Sequence, residues 1–293
     1  METNKNCFRD GDLALLFDRK GRRHLLTLST DQVFHSHQGR LPHADLIGRT
    51  VGGWYRTDRG HTLLAVRPTL GDFVREMPRG PQIIYPKDLG NIVSLADIFP
   101  GATVVEGGLG SGSLTSALLR AVGNNGRVIT YEIADSVVPK AMSNIQKVLP
   151  DTSNLTVKSA DIYQGITERE VDRVVLDVPE PWQAVSTIGD CLVMGGIMLT
   201  FLPTILQVHQ VVLELQRDSR FQLIETTETL LRTWHVTQRS VRPDHRMIGH
   251  SGFLTTAVRC EPKAVNVSAG SPASDGPGEE SIPEQEETDG RDG

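Results

Sequence analysis

The chain has 293 residues, 38% hydrophobic and 23% charged, with three cysteines and a formal net charge of −6. That size fits one large domain or two smaller ones, and the composition is that of an ordinary globular chain with no apolar run near the roughly 20 residues of a membrane helix. The charge is uneven: residues 261–293 hold nine acids and two bases, which leaves residues 1–260 at +1 and residues 1–80 at +4, a mild basicity compatible with nucleic acid but not diagnostic of it.

The start, Met1 to Asn6, is polar and lacks the apolar stretch of a signal peptide. Cys7, Cys191 and Cys260 lie far apart with no C-x-x-C spacing, so neither a zinc site nor a disulfide framework is expected and a reducing, cytoplasmic setting is the simplest reading. Residues 1–75 read as a small β domain of short strands, such as Leu13–Phe17, His24–Leu28 and Thr62–Val66, with a hairpin loop at Asp18–Gly21. Its basic residues Arg19, Lys20, Arg22, Arg23, Arg40, Arg56 and Arg59 are either solvated hairpin charges or an RNA-contacting surface. Residues 76–100 form a connector and a helix. Tyr85 precedes Pro86 and is held extended, where it packs into core or stacks on a base. Asp88 is expected to cap a helix running through Ile92 to Ile98.

From Gly101 the pattern alternates. Strands are expected at Thr103–Glu106, Arg127–Glu132, Leu155–Ser159, Asp172–Asp177, Gly196–Leu202, Phe221–Arg232 and Gly252–Arg259. Helices are expected at Ser113–Val122, Ser136–Val148, Trp182–Cys191 and Thr204–Asp218. Strand–helix alternation in 101–260 argues for a mainly parallel, doubly wound sheet closed by an antiparallel pair. Arg239 to His250 reads as a loop. Residues 261–293 contain almost no large apolar residue and are expected to be a disordered acidic tail.

The first strand runs into Glu106-x-Gly108-x-Gly110-x-Gly112. A strand that ends in glycines and re-enters a helix presents bare backbone N–H groups to a ligand. The dinucleotide fingerprint G-x-G-x-x-G needs its third glycine one position later, so the spacing suits a nucleoside with an amino-acid tail better than a pyrophosphate. Acids then recur at strand ends. Glu132 follows Gly112 by twenty residues, a distance at which a carboxylate commonly accepts from both ribose hydroxyls. Asp161 follows the third strand, where a carboxylate accepts from an adenine amino group. Asp177 ends the fourth, in Asp177-x-Pro-Glu-Pro-Trp182, a loop stiffened by two prolines. Each acid alone reads equally as a helix cap or a solvated charge; the set points to a nucleoside site.

These motifs resemble the nucleotide site of class I S-adenosylmethionine (SAM) methyltransferases. Arg67-Pro-Thr-Leu70, Met77-Pro-Arg-Gly80, Tyr85-Pro-Lys-Asp88, the Asp177–Trp182 motif, Leu202-Pro-x-x-x-Gln207 and His245 to Phe253 are similar to the tRNA (adenine-58-N1)-methyltransferases, from about Phe8 to Arg259. The resemblance implies a Rossmann-like α/β catalytic domain with a mainly parallel seven-stranded sheet behind the β domain, a homotetramer, tRNA as substrate and SAM with no metal. It implies SAM contacts at Glu106, Gly108, Gly110, Ser111, Gly112, Ser113, Leu114, Glu132, Val137, Asp161 and Asp177. Asp177 would also orient the target adenine, and Tyr85 matches an aromatic near that base. Phe201 and Thr204 stand where relatives often carry Tyr and Asn, and Gly107 and Leu109 replace smaller or alanine residues in the loop. A methyltransferase on another RNA or a protein is the alternative. A nicotinamide-dependent dehydrogenase misses its glycine spacing, and a non-catalytic RNA-binding subunit would be expected to lack the glycine loop and Asp177.

Overall fold

The structure, a computed structural model, describes residues 6–78, 82–247 and 249–262. The expected acidic tail lies, from residue 263 on, outside them. The first elements are strands β1 (Leu13–Phe17), β2 (Arg23–Thr27), β3 (Val33–Ser36), β4 (Gly39–Pro42), β5 (Gly53–Arg56) and β6 (Thr62–Val66). An antiparallel sheet of order β2-β1-β6-β5 and the separate hairpin β3–β4 surround a small core of Phe8, Leu16, Leu28, Leu41, Leu46 and Leu63. Three of the basic residues weighed as an RNA surface are engaged locally. Arg22, Arg23 and Arg40 pair with Asp18, Asp72 and Asp58 at 2.6, 3.3 and 2.9 Å.

Helix α1 (Leu70–Glu76) starts at a capping box: Thr69 accepts from Asp72 N at 3.0 Å, and the Asp72 carboxylate accepts from Thr69 N at 3.2 Å. Helix α2 (Pro86–Leu95) begins earlier than expected, with Pro86 in its first position and Tyr85, at φ −70° and ψ 151°, as the extended N-cap. Asp88 is therefore a helical residue and not the cap. It is fully buried, with Lys87 Nζ donating at 2.8 Å and Ser251 Oγ at 2.7 Å, while Lys87 Nζ also donates to Thr229 O at 2.8 Å.

Next come β7 (Thr103–Gly107), α3 (Ser113–Val122), β8 (Arg127–Glu132), α4 (Val138–Val148), β9 (Leu155–Ser159), β10 (Val171–Leu176), α5 (Val185–Cys191), β11 (Leu192–Leu202), α6 (Ile205–Arg217), β12 (Phe221–Glu228), β13 (Trp234–Val236), β14 (Val241–Pro243) and β15 (Phe253–Arg259). Seven of these strands form one sheet of order β12-β15-β11-β10-β7-β8-β9, with β11 through β9 parallel and β15 antiparallel to both neighbours. Alternation along β7 sends Val104 to a layer with Phe73, Ile92, Leu114 and Leu118, and Val105 to the opposite layer with Ile188, Val211 and Leu215. The expected last helix-flanked strand is shorter than Phe221–Arg232. It stops at Glu228, and a hairpin follows, with β13 preceding the loop expected at Arg239 to His250 and β14 falling inside it; its three-residue strands are mostly exposed.

The chain winds outward from β7 to β9, then returns to place β10 on the other side of β7. This reversal opens a crevice beyond the carboxyl ends of β7 and β10, where open α/β sheets bind ligands.

Candidate active site

A cavity of about 540 Å³ fills that crevice, within the range of small-molecule sites. The β7–α3 turn forms its floor. Gly108, at φ +91°, passes so close to β10 that a Cβ there would lie 2.4 Å from Asp177 O. Gly112, at φ +81°, packs against Ile145, where a Cβ would sit 2.7 Å from Cγ1. At both positions conformation and space exclude a side chain. Gly110 N donates to Glu132 Oε2 at 3.2 Å, and Ala134 N donates to Oε1 at 2.9 Å. Glu132 is thus fixed by two backbone donors, yet a carboxylate with about four lone-pair directions keeps two for a ligand diol. Asp161 caps the short 3-10 turn Ile162–Gln164 by accepting from Tyr163 N at 2.9 Å through Oδ1, which leaves Oδ2 with only a 3.5 Å contact from Gln164 Nε2. Glu132, Val137 and Asp161 line one stretch of the cavity wall. These free acceptors fit the ribose and amino group of an adenosine moiety.

Asp177 lines the same cavity. Its backbone N–H donates to Gly107 O at 2.8 Å, which locks it to the end of β7, and burial pushes its carboxyl up to about 6. Among the described residues no hydrogen bond reaches its carboxylate. The following loop is tied at two points: Glu180 N donates to Tyr163 Oη at 2.9 Å, and Gln207 Nε2 donates to Pro179 O at 2.9 Å. Thr204, which caps α6, also donates to Gln207 Oε1 at 2.7 Å, so this departure from the family's pattern still orients the glutamine. Phe201 lines the cavity and packs against Gly252, where a Cβ would fall 2.4 Å from its Cζ.

Several expected site residues sit elsewhere. Glu106 does not line the cavity. It is fully buried under the turn, accepts from Thr115 Oγ1 at 2.8 and 3.1 Å, and burial pushes its carboxyl up to about 8, against the lowering effect of the Thr115 hydrogen bond. Ser111, Gly112, Ser113 and Leu114 are buried in the turn and first helical residues, and Ser111 O accepts from Asn144 Nδ2 at 3.1 Å. Of the glycine motif, Gly108 and Gly110 line the cavity. Tyr85 is not beside Asp177 in this wall; it lines a second cavity of about 240 Å³ with Arg75, Lys87, Arg246 and Met247. Conversely, Tyr131, Ile133, Ala134, Tyr163 and Val178 line the main cavity without having been singled out. Each lies within two residues of a strand-end acid, and that proximity was the available signal. Among the described residues no cluster of three or more His, Cys, Asp or Glu is arranged to hold a metal ion.

Within the motif that begins at His245, His250 acts as a brace. His250 Nδ1 lies 2.6 Å from Glu228 Oε1 and its Nε2 lies 2.8 Å from the carbonyl of Pro203, a cavity-lining residue. Hydrogen bonding to Pro203 and then Glu228 raises its pKa.

The glycine turn at the switch point, the acid at the end of each of the next two strands and the stiff acid-bearing loop on β10 define a Rossmann-like SAM-dependent methyltransferase. A solved structure described as a SAM-dependent O-methyltransferase from Thermotoga maritima matches with a TM-score of 0.84 and 31% identity, covering 88% of this chain and 97% of that one. The family model described as "tRNA methyltransferase complex GCD14 subunit" matches residues 62–251, and "TrmI-like N-terminal" matches residues 7–53. The tRNA (adenine(57)-N(1)/adenine(58)-N(1))-methyltransferase TrmI of Methanocaldococcus jannaschii is 34% identical over 83% of this chain and 93% of its own. The tRNA (adenine(58)-N(1))-methyltransferase TrmI of Thermus thermophilus is 35% identical over 84% and 96%. The chain belongs to the tRNA (adenine-58-N1)-methyltransferase family.

Proposed function

We propose that this chain transfers the methyl group of SAM to N1 of an adenine in the T-loop of tRNA, at position 58. The observation that carries the reading is Asp177, which lines the same cavity as Glu132 and Asp161 and whose carboxylate has no hydrogen-bond partner among the described residues. The cofactor supplies a methyl already activated by its sulfonium charge. What remains for the protein is positioning: adenine N1 must sit in line behind the methyl at near-attack distance, and such placement accounts for much of the rate. Glu132 accepts from the ribose, Asp161 from the cofactor adenine, and Gly108 and Gly110 leave room for its methionine end. Asp177 accepts from the N6 amino group of the target base. The positive charge that the adenine ring gains when N1 takes the methyl, the sulfonium leaving as a neutral thioether, would be stabilised by this carboxylate through its hydrogen bond to N6. The target base must leave its stack to enter, at a cost of a few kcal/mol.

Tritium transfer from labelled SAM tests this directly. Label should enter tRNA carrying adenine at the T-loop site and fail to enter the same tRNA with that adenine replaced. Equal incorporation into both would favour methylation of another RNA position; incorporation only into protein would favour a protein substrate. We further propose a cytoplasmic homotetramer in which the small β domain of residues 1–75 faces tRNA. The exposed Leu230, Leu231, Trp234, Val236 and Val241 around the β13–β14 hairpin support burial against a second copy.

A further inference from the structure

We infer that Tyr163 is a positioning residue that couples occupancy of the cofactor end of the cavity to the placement of Asp177 at the target-base end. This inference rests on the reading of the site given above. Asp161 and Tyr163 belong to one 3-10 turn, joined by the Tyr163 N–H donated to Asp161 Oδ1 at 2.9 Å. A ligand that draws on the Asp161 carboxylate therefore also sets the orientation of the Tyr163 backbone. Three residues beyond the turn, Thr167 N donates to Tyr131 Oη at 3.1 Å, and just before it Ala160 N donates to Glu132 O at 3.1 Å, so both ends of the segment are tied to β8 and the turn between them carries Asp161 and Tyr163.

From the other side, Tyr163 Oη accepts Glu180 N–H at 2.9 Å, three residues after Asp177. Pro179 and Pro181 flank Glu180 and restrict the backbone between the hydrogen bond and the carboxylate, so a shift at Glu180 passes to Asp177 instead of being absorbed. The loop's other tie, Gln207 Nε2 to Pro179 O, comes from α6 and does not touch the cofactor end. Tyr163 is thus the link whose partners are an adenine-reading turn on one side and the catalytic loop on the other. The hydroxyl is protonated at neutral pH, burial of the ring raising its pKa further, and its oxygen accepts the Glu180 N–H.

The test compares wild type with Tyr163→Phe, which removes the hydroxyl and keeps the ring. Two quantities are measured: the affinity for tRNA with and without saturating S-adenosylhomocysteine, and the affinity for S-adenosylhomocysteine alone. In wild type the cofactor product should change tRNA affinity several-fold. In Tyr163→Phe its own affinity should stay within about two-fold, while its effect on tRNA affinity falls toward none and kcat drops about five- to ten-fold, the scale of one lost hydrogen bond. A merely structural residue would lower the melting temperature without moving the coupling factor. A coupling factor equal to that of wild type, or a wild type with no coupling, overturns the inference. Failure of wild type to methylate tRNA would instead overturn the functional reading on which it rests.

Discussion

Asp177 and Glu106 are carboxyl groups on neighbouring strands, and their surroundings assign them opposite duties. Asp177, at about 6, is mostly ionised at neutral pH and faces the ligand space. Replacing it with Asn keeps the shape but removes the charge; kcat should fall about 100-fold or more while SAM affinity changes by no more than a few-fold, readable by single-turnover assay and calorimetry. Because the carboxylate is the working form, kcat/KM of the free enzyme should rise with pH through about 6, and this limb should vanish in Asp177→Asn. Glu106, at about 8 and fully buried, holds its proton and serves the fold. Its raised pKa means that the native state keeps a proton the unfolded chain releases. Its contribution is therefore complete below pH 4.5, declines by about 1.4 kcal/mol per pH unit as pH rises, and levels off above about 8. Glu106→Gln should lose that slope in urea-melt stabilities measured from pH 5 to 9; an unchanged slope would mean the buried proton lies elsewhere.

At the level of elements, the parallel strands were legible because β-branched runs end abruptly in acids and glycines, and that same punctuation exposed Glu132, Asp161 and Asp177. The start of α2 was less so: Asp88 looks like a cap, but Pro86 at the first helical position places the cap at Tyr85, three residues earlier, and puts Asp88 in contact with Ser251, 163 residues away. Tyr163 could not be found by pattern, since what it binds is the Glu180 backbone on a separate loop, and the Leu202–Gln207 motif marked Gln207 without showing that it ties down Pro179 of that same loop. The β13–β14 hairpin, with three-residue strands and little burial, leaves no periodic signal. Two further expectations belong here. Gly252→Ala, at the entry to β15, forces a methyl to 2.4 Å from Phe201 Cζ and should cost about 1–3 kcal/mol of stability, with part of the loss recovered in a Phe201→Leu background. His250 faces two acceptors, which only the doubly protonated ring satisfies together. Its brace is complete below pH 6.5 and loosens as pH rises through the raised value; an NMR titration of the ring should return a pKa above 6.5.

For the molecule as a whole, length and charge spread placed the chain among globular proteins with an acidic end, and no helix among the described residues is long and apolar enough to cross a membrane. Val236 and Val241 pair across the hairpin and both stand exposed, as do Trp234 and Leu223. If the homotetramer forms, light scattering should give four times the 32.1 kDa chain mass, and Val236→Lys with Val241→Glu should reduce it. One feature of the large sheet also bears on how the chain reaches this state. The last strand, β15, is inserted between β11 and β12 and is not added at a border. Until it arrives, β11 and β12 each carry a raw inner edge in addition to the two outer edges at β12 and β9, each a template for pairing with another chain. Chains cut before Phe253 should therefore aggregate and not persist as a slightly shortened enzyme. Refolding should pass through a sticky species that disappears only when β15 threads the gap, so yield should depend on protein concentration more steeply than overall stability suggests.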